Sequence, residues 1–257
     1  MARIFPPIAT RPTRPNPPNP SDPVPVIALH GTLDSPGAWA PLIDGLRARG
    51  RLAYAPAYGE RGTGAVGDSV AEVEAHIDRI CADTGSDAVD LVAHSQGGLI
   101  AFLLYTDLVG MRLTDRADSQ PAARQVTLRR VICVSGSVGG IHLSGIARAL
   151  TWWNGALARY LMGQALVDQI AVTNGEYPLP GYTPILRDRP TKAASPDWIN
   201  VISHNDRLVI PWSDTAQHFL PDSRTILIET ELGGRSVAHW KQQTDPGVVA
   251  LLTRLLT

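Results

Sequence analysis

Val89-Asp90-Leu91-Val92-Ala93-His94-Ser95-Gln96-Gly97-Gly98 reads as a buried strand that turns sharply into a helix, with a serine at the turn. A residue caught between strand and helix is held in strained backbone geometry. The positions two places to either side must be small for the two elements to approach. Ala93 and Gly97 meet that demand, with Ala93 standing where glycine is usual. The stretch predicts Ser95 as a nucleophile. A plain serine N-cap is the competing reading, since serine is common at helix starts.

Chain order adds to this. Upstream, the apolar run Val26-Ile27-Ala28-Leu29 leads into His30-Gly31-Thr32. Downstream, Val201-Ile202-Ser203-His204-Asn205-Asp206 sets a carboxylate just past another strand, and His239 stands in a loop before the last predicted helix. Serine, acid and histidine in that order, with an oxyanion strand upstream, carry a resemblance to the serine lipases and esterases of the α/β-hydrolase superfamily. The chain is similar in particular to bacterial triacylglycerol lipases, some of which share the alanine before the serine, and to the fungal lipase B type. The resemblance is clearest over residues 24–108 and thins to isolated motifs afterwards. One of these is Asn205-Asp206-Arg207-Leu208-Val209-Ile210-Pro211, similar to the Asp-x-x-Val-x-Pro segment of related lipases. It implies an α/β-hydrolase fold: a mostly parallel central sheet, helices on both faces and a cap segment.

A chain of 257 residues can bury a substantial core in one domain. That domain is expected over residues 26–257, after a proline-rich extended arm at 1–25, with a cap or lid inserted around 141–190. Lys+Arg number 23 against 24 Asp+Glu, which leaves no electrostatic footprint for nucleic acid. No run approaches the roughly 20 apolar residues of a membrane span. The arm lacks the apolar core of a signal peptide, so the protein is expected to be cytoplasmic, or secreted if a leader was removed. Cys81 and Cys133 read as core residues, with a single bridge between them left open.

Periodicity alternates strand and helix, as a parallel sheet covered on both faces requires. Trp39, Leu42, Ile43 and Leu46 mark a helix stopped at Gly50. Residues 52–55 read as a strand ended by Pro56. Ser69-Val70-Ala71-Glu72 is a capping box that opens a helix with Val70, Val73, Ile77 and Ile80 on one face. The helix after Ser95 is apolar nearly all round over 99–109, and 111–125 reads as a polar surface excursion. Residues 131–134, 198–203 and 225–228 are further strands, and 246–256 is the final helix. Ile146, Leu150, Trp153, Leu157 and Leu161 form another apolar stripe, read either as the cap or as a buried packing helix. On the first reading Trp152, Trp153 and Leu157 contact substrate.

A serine hydroxyl needs a base to take its proton, and the base needs a third group to orient it. His239 is the base expected from chain order. His30 and His94 sit within the two motifs in structural places, His76 lies on a polar helix side, His142 and His218 match no motif, and His204 precedes the acid. Asp206 is the expected acid, ahead of Asp197 before the strand and Asp214 further past it. Oxyanion donors are expected from the N–H of Gln96 and from Thr32, whose hydroxyl also donates in the lipase B type. Gly62-Thr63-Gly64-Ala65-Val66-Gly67 matches a dinucleotide fingerprint as a string. Residues 56–61 separate it from its strand and the next strand ends in Ala93-His94-Ser95 rather than an acid, so it reads as a loop beside the site rim. The expected activity is hydrolysis of hydrophobic carboxylic esters, with no metal or cofactor and with contact to a lipid interface. Acyl transfer, thioester hydrolysis and a non-catalytic binding module are the alternatives.

Overall fold

The computed structural model describes residues 15–114, 126–139, 141, 163–173, 195–209 and 222–257. Six strands, β1 (Asp22–Leu29), β2 (Arg51–Tyr54), β3 (Ala88–His94), β4 (Thr127–Val134), β5 (Asp197–Ile202) and β6 (Arg224–Leu227), make one sheet in the order β2-β1-β3-β4-β5-β6. Every neighbouring pair is parallel. The longer helices are α1 (Ala40–Arg47), α2 (Val66–Thr84), α3 (Gln96–Thr114), α4 (Gln164–Thr173) and α5 (Pro246–Leu256).

Successive strand residues point to opposite faces, and both faces are covered. Ile27, Leu29, Leu91, Ala93, Val131 and Cys133 join one core with α2 and α3. Val26, Ala28, Val92, Ile132, Val134 and Val201 join the other with Trp39, α1 and α5. This double burial is why the strands read as unbroken apolar runs. The chain leaves β1 for the edge strand β2 and returns as β3 on the other side of β1. The C-terminal ends of β1 and β3 therefore border the crevice where open parallel sheets bind ligands.

Several boundaries differ from the sequence reading. β1 starts at Asp22, inside the stretch read as an arm. Pro23 and Pro25 bring no N–H, but the Asp22 carboxylate accepts from Val24 N–H at 2.9 Å and pairs with Arg51 and Arg129, each at 2.9 Å, which fixes the chain there. α2 starts at Val66 rather than at the Ser69 box. Its cap comes from another helix: Asp168 Oδ2 in α4 accepts from Val66 N–H at 2.9 Å. Ser69 instead donates to Ala65 O, and Glu72 accepts from Gly59 N–H. α3 continues to Thr114, so the start of the expected 111–125 excursion is helical. Cys81 and Cys133 are both buried and are not joined by a disulfide. No described helix is long and apolar enough to cross a membrane. Residues 142–162 and 174–194, and with them Trp152, Trp153 and Leu157 of the expected cap, lie outside the described residues.

Candidate active site

Ser95 sits between β3 and α3 with φ at +53°, in the left-handed region that side chains normally avoid. Three backbone bonds hold it there. Its N–H donates to Val134 O at 3.2 Å, and its carbonyl accepts from Gly98 and Ser137, each at 2.9 Å. A Cβ on Gly97 would come within 2.7 Å of Leu29 O, so only glycine lets α3 press this closely on β1. The Ala93 methyl, by contrast, fits fully buried in the sheet beside Leu29 and Cys133.

Asp206 and His239, the expected acid and base, bond each other, and His239 contacts His94 at this elbow. Asp206 follows β5 in a turn where its Oδ1 accepts from the N–H groups of Leu208 and Val209 at 2.9 and 3.1 Å. Its Oδ2 lies 2.6 Å from His239 Nδ1. A carboxylate can only accept, so Nδ1 carries the proton and Nε2 keeps the basic lone pair. Burial pushes the Asp206 pKa up, but the His239 bond and charge and the Leu208 N–H outweigh it and hold the carboxyl at about 2. His94, the residue before the elbow serine, donates from Nε2 to His239 O at 2.9 Å, and the two rings lie 4.6 Å apart. The His239 loop is thereby tied to the end of β3.

The rival residues are elsewhere. Asp197 opens β5 at the opposite end of the sheet, paired with Arg130 at 3.4 Å and Arg224 at 3.1 Å. His76 bonds Ala57 O from α2, and His204 is exposed in the turn before Asp206. Asp214, His142 and His218 lie outside the described residues.

At the end of β1, Asp34 N–H closes a turn onto Gly31 O at 3.3 Å, with Leu33 at φ +62°. A Cβ on Gly31 would lie 3.0 Å from that of Ser95, so this loop runs directly against Ser95. Thr32 is half-buried beside it, and Gln96, fully buried, opens α3 with an N–H from the turn that lacks helical acceptors. The fingerprint-like loop props this turn from behind. His30 stacks on Tyr58 at 4.1 Å, the Tyr58 hydroxyl donates to His30 O, and Arg61 Nη2 donates to Leu33 O at 2.7 Å. Gly59, Glu60, Arg61 and Gly62 all have positive φ, a left-handed turn that brings Gly62 against Gly31 O and Thr32. Gly59 and Gly62 serve this packing.

Two site residues went unread in the sequence. Tyr58 backs the β1 turn, and Gln169 of α4 donates from Nε2 to Thr32 Oγ1 at 3.0 Å across a separation of 137 residues. Neither belongs to a local motif, because each acts through a contact remote in sequence.

A family model described as "Alpha/beta hydrolase family" matches residues 26–251. A comparison with curated protein sequences finds no match. Among solved structures, the chain is similar to esterase B from Lactobacillus rhamnosis, with TM-score 0.59 and 13% identity over 94% of this chain and 78% of that one. It is also similar to a carboxylesterase structure from Nitrososphaera gargenis, with TM-score 0.55 and 14% identity over 95% and 97%. The thioesterase domain of the curacin biosynthetic pathway aligns with TM-score 0.53 and 18% identity over 92% of each chain. At these identities the likeness is one of fold.

Proposed function

The chain belongs to the alpha/beta hydrolase family, and on that premise we propose that it cleaves carboxylic esters through an acyl-enzyme on Ser95. The observation that carries this is the 2.6 Å bond between Asp206 and His239, made beside a serine held at φ +53°. In this reading Ser95 Oγ attacks the ester carbonyl while His239 Nε2 takes its proton. Asp206 keeps the imidazole in the right tautomer and stabilises the imidazolium. The Gln96 N–H and Thr32 bind the oxyanion. Collapse returns the proton to the departing alcohol, and water then repeats the sequence to release the acid.

Hydrophobic esters fit the surroundings best. Among the described residues the large apolar side chains most open to water are Trp240, 68% exposed, and Leu208, 41% exposed. They adjoin His239 and lie two residues past Asp206, which suits contact with an apolar substrate or lipid interface. Thioester hydrolysis is the second reading, supported by the fold likeness to a thioesterase domain. It uses the same acyl-enzyme and differs in the leaving group.

Labelling with a fluorophosphonate probe tests the proposal. Wild-type protein should label and Ser95→Ala should not, and a panel of esters from acetate to long chains, with matched thioesters, assigns the substrate class. A folded wild-type protein that takes up no label would point to a binding module instead.

A further inference from the structure

Gln169 is 1% exposed, and every polar atom of its amide is engaged at the edge of the candidate site. Nε2 donates to Thr32 Oγ1 at 3.0 Å and to Ala165 O at 3.1 Å, while Oε1 accepts from the Ser137 hydroxyl at 2.9 Å. The orientation of the amide follows from chemistry. A backbone carbonyl can only accept, so the atom shared between Ala165 O and Thr32 must be the nitrogen. Thr32 is therefore an acceptor in this bond. A hydroxyl has one proton and two lone pairs, so the Thr32 proton is not used by Gln169 and stays available to a third group.

We propose that Gln169 is a positioning residue of the oxyanion hole, one that occupies a lone pair of Thr32 so that its only proton serves the developing oxyanion. The proposal rests on the serine-hydrolase reading above and deepens it. Ser137 has a matching part. It follows the β4 strand end, its N–H holds the Ser95 carbonyl, and its hydroxyl locks the amide against the flipped state, in which Oε1 would capture the Thr32 proton. The seat of α4 does not depend on Gln169. Asp168 caps α2 through Val66 N–H at 2.9 Å and accepts from Gln164 at 2.7 Å, and Ala165 N–H donates to Thr63 O at 3.3 Å.

The test replaces the donor by an acceptor of the same shape. In Gln169→Glu the carboxylate takes the proton of Thr32. With a water-soluble aryl butyrate, kcat should fall about tenfold or more, toward the level of Thr32→Val, while KM moves less than about twofold, because an oxyanion donor acts in the transition state. Gln169→Leu, which removes the amide and adds no charge, should lose less. In a Thr32→Val background neither change should lower kcat further by more than about twofold. Wild-type kcat in Gln169→Glu, or equal losses in both backgrounds, would overturn the proposal. If Gln169→Glu proves too unstable to assay, the Gln169→Leu cycle with Thr32→Val decides by the same criterion. Full kcat in Thr32→Val alone would also end it, and fluorophosphonate labelling of Ser95 would show that the hydrolase reading survives.

Discussion

The two ends of the sheet are built on different principles. At the C-terminal end lie all five described non-glycine residues with positive φ: Leu33, Glu60, Arg61, Ser95 and Ser135. Three buried imidazoles, His30, His94 and His239, sit among them. Burial and the nearby Arg61 charge outweigh the Gly31 backbone bond and push His30 down to about 4, and burial with the neighbouring His239 pushes His94 well below its usual range. At the N-terminal end the backbone is relaxed and charges meet instead. Arg51 and Arg129 reach Asp22, both at 2.9 Å, and reach the fully buried Asp90 at 3.0 and 2.5 Å. Arg130, Asp197 and Arg224 extend the series across β4, β5 and β6. Strain and desolvated bases are held where chemistry is proposed, and paired charges fix strand order where it is not.

If that contrast is right, substitutions at the two ends should separate activity from stability. Ser95→Ala should show the largest effect, a loss on the order of 10⁶ in kcat. The protein should stay folded, since the backbone bonds that hold the elbow do not involve the hydroxyl. Asp206→Asn follows, with about 10⁴: the shape survives, but an amide can present its NH₂ to Nδ1 and leave His239 in the wrong tautomer. Circular dichroism beside ester kinetics checks both. Asp206→Asn with near-normal kcat would return the search for an acid to residues past β5.

Asp90→Asn probes the other end. Removing one partner of a buried pair leaves the remaining charges uncompensated and costs about 3–5 kcal/mol. Arg129 is 37% exposed and can turn to water, so the lower figure is expected. Denaturant unfolding measures it, and kcat of the folded enzyme should be unchanged. A large fall in kcat for folded Asp90→Asn would mean that the two ends are coupled and the contrast is false.

What the sequence made legible divides along similar lines. The elbow at Ser95 and the last helix could be read because each is encoded within a short window. α5 spans Pro246–Leu256 and is capped by Asp245, whose side chain accepts from the N–H groups of Gly247 and Val248. The start of α2 could not be read, since a good local box at Ser69 lost to Asp168, about a hundred residues away in the chain. Tyr58 and Gln169 were invisible for the same reason. The glycines at 62 and 64 match a nucleotide fingerprint as a string alone, because glycine records only close approach, not what approaches.

The smallest expected effect concerns pH and again sets one end against the other. A histidine buried neutral has its folded pKa below the unfolded value, so the unfolded chain binds the proton first. The stability contributed by His30 is intact above about 6.5, declines as pH falls and is lost through about 4. Asp206, held at about 2, contributes stability above its unfolded value of 3.8 that is lost only as pH falls toward 2. Acid should therefore weaken the fold in two stages, with the imidazoles first. His30→Phe keeps a ring to stack on Tyr58 and removes one titrating group. Its melting temperature should fall less steeply between pH 6.5 and 4 than that of the wild type. Only part of the slope should disappear, since His94 titrates in the same direction. Asp90→Asn should lower the whole curve. If His30→Phe runs parallel to wild type, the acid-sensitive groups lie away from the strained end and the contrast fails.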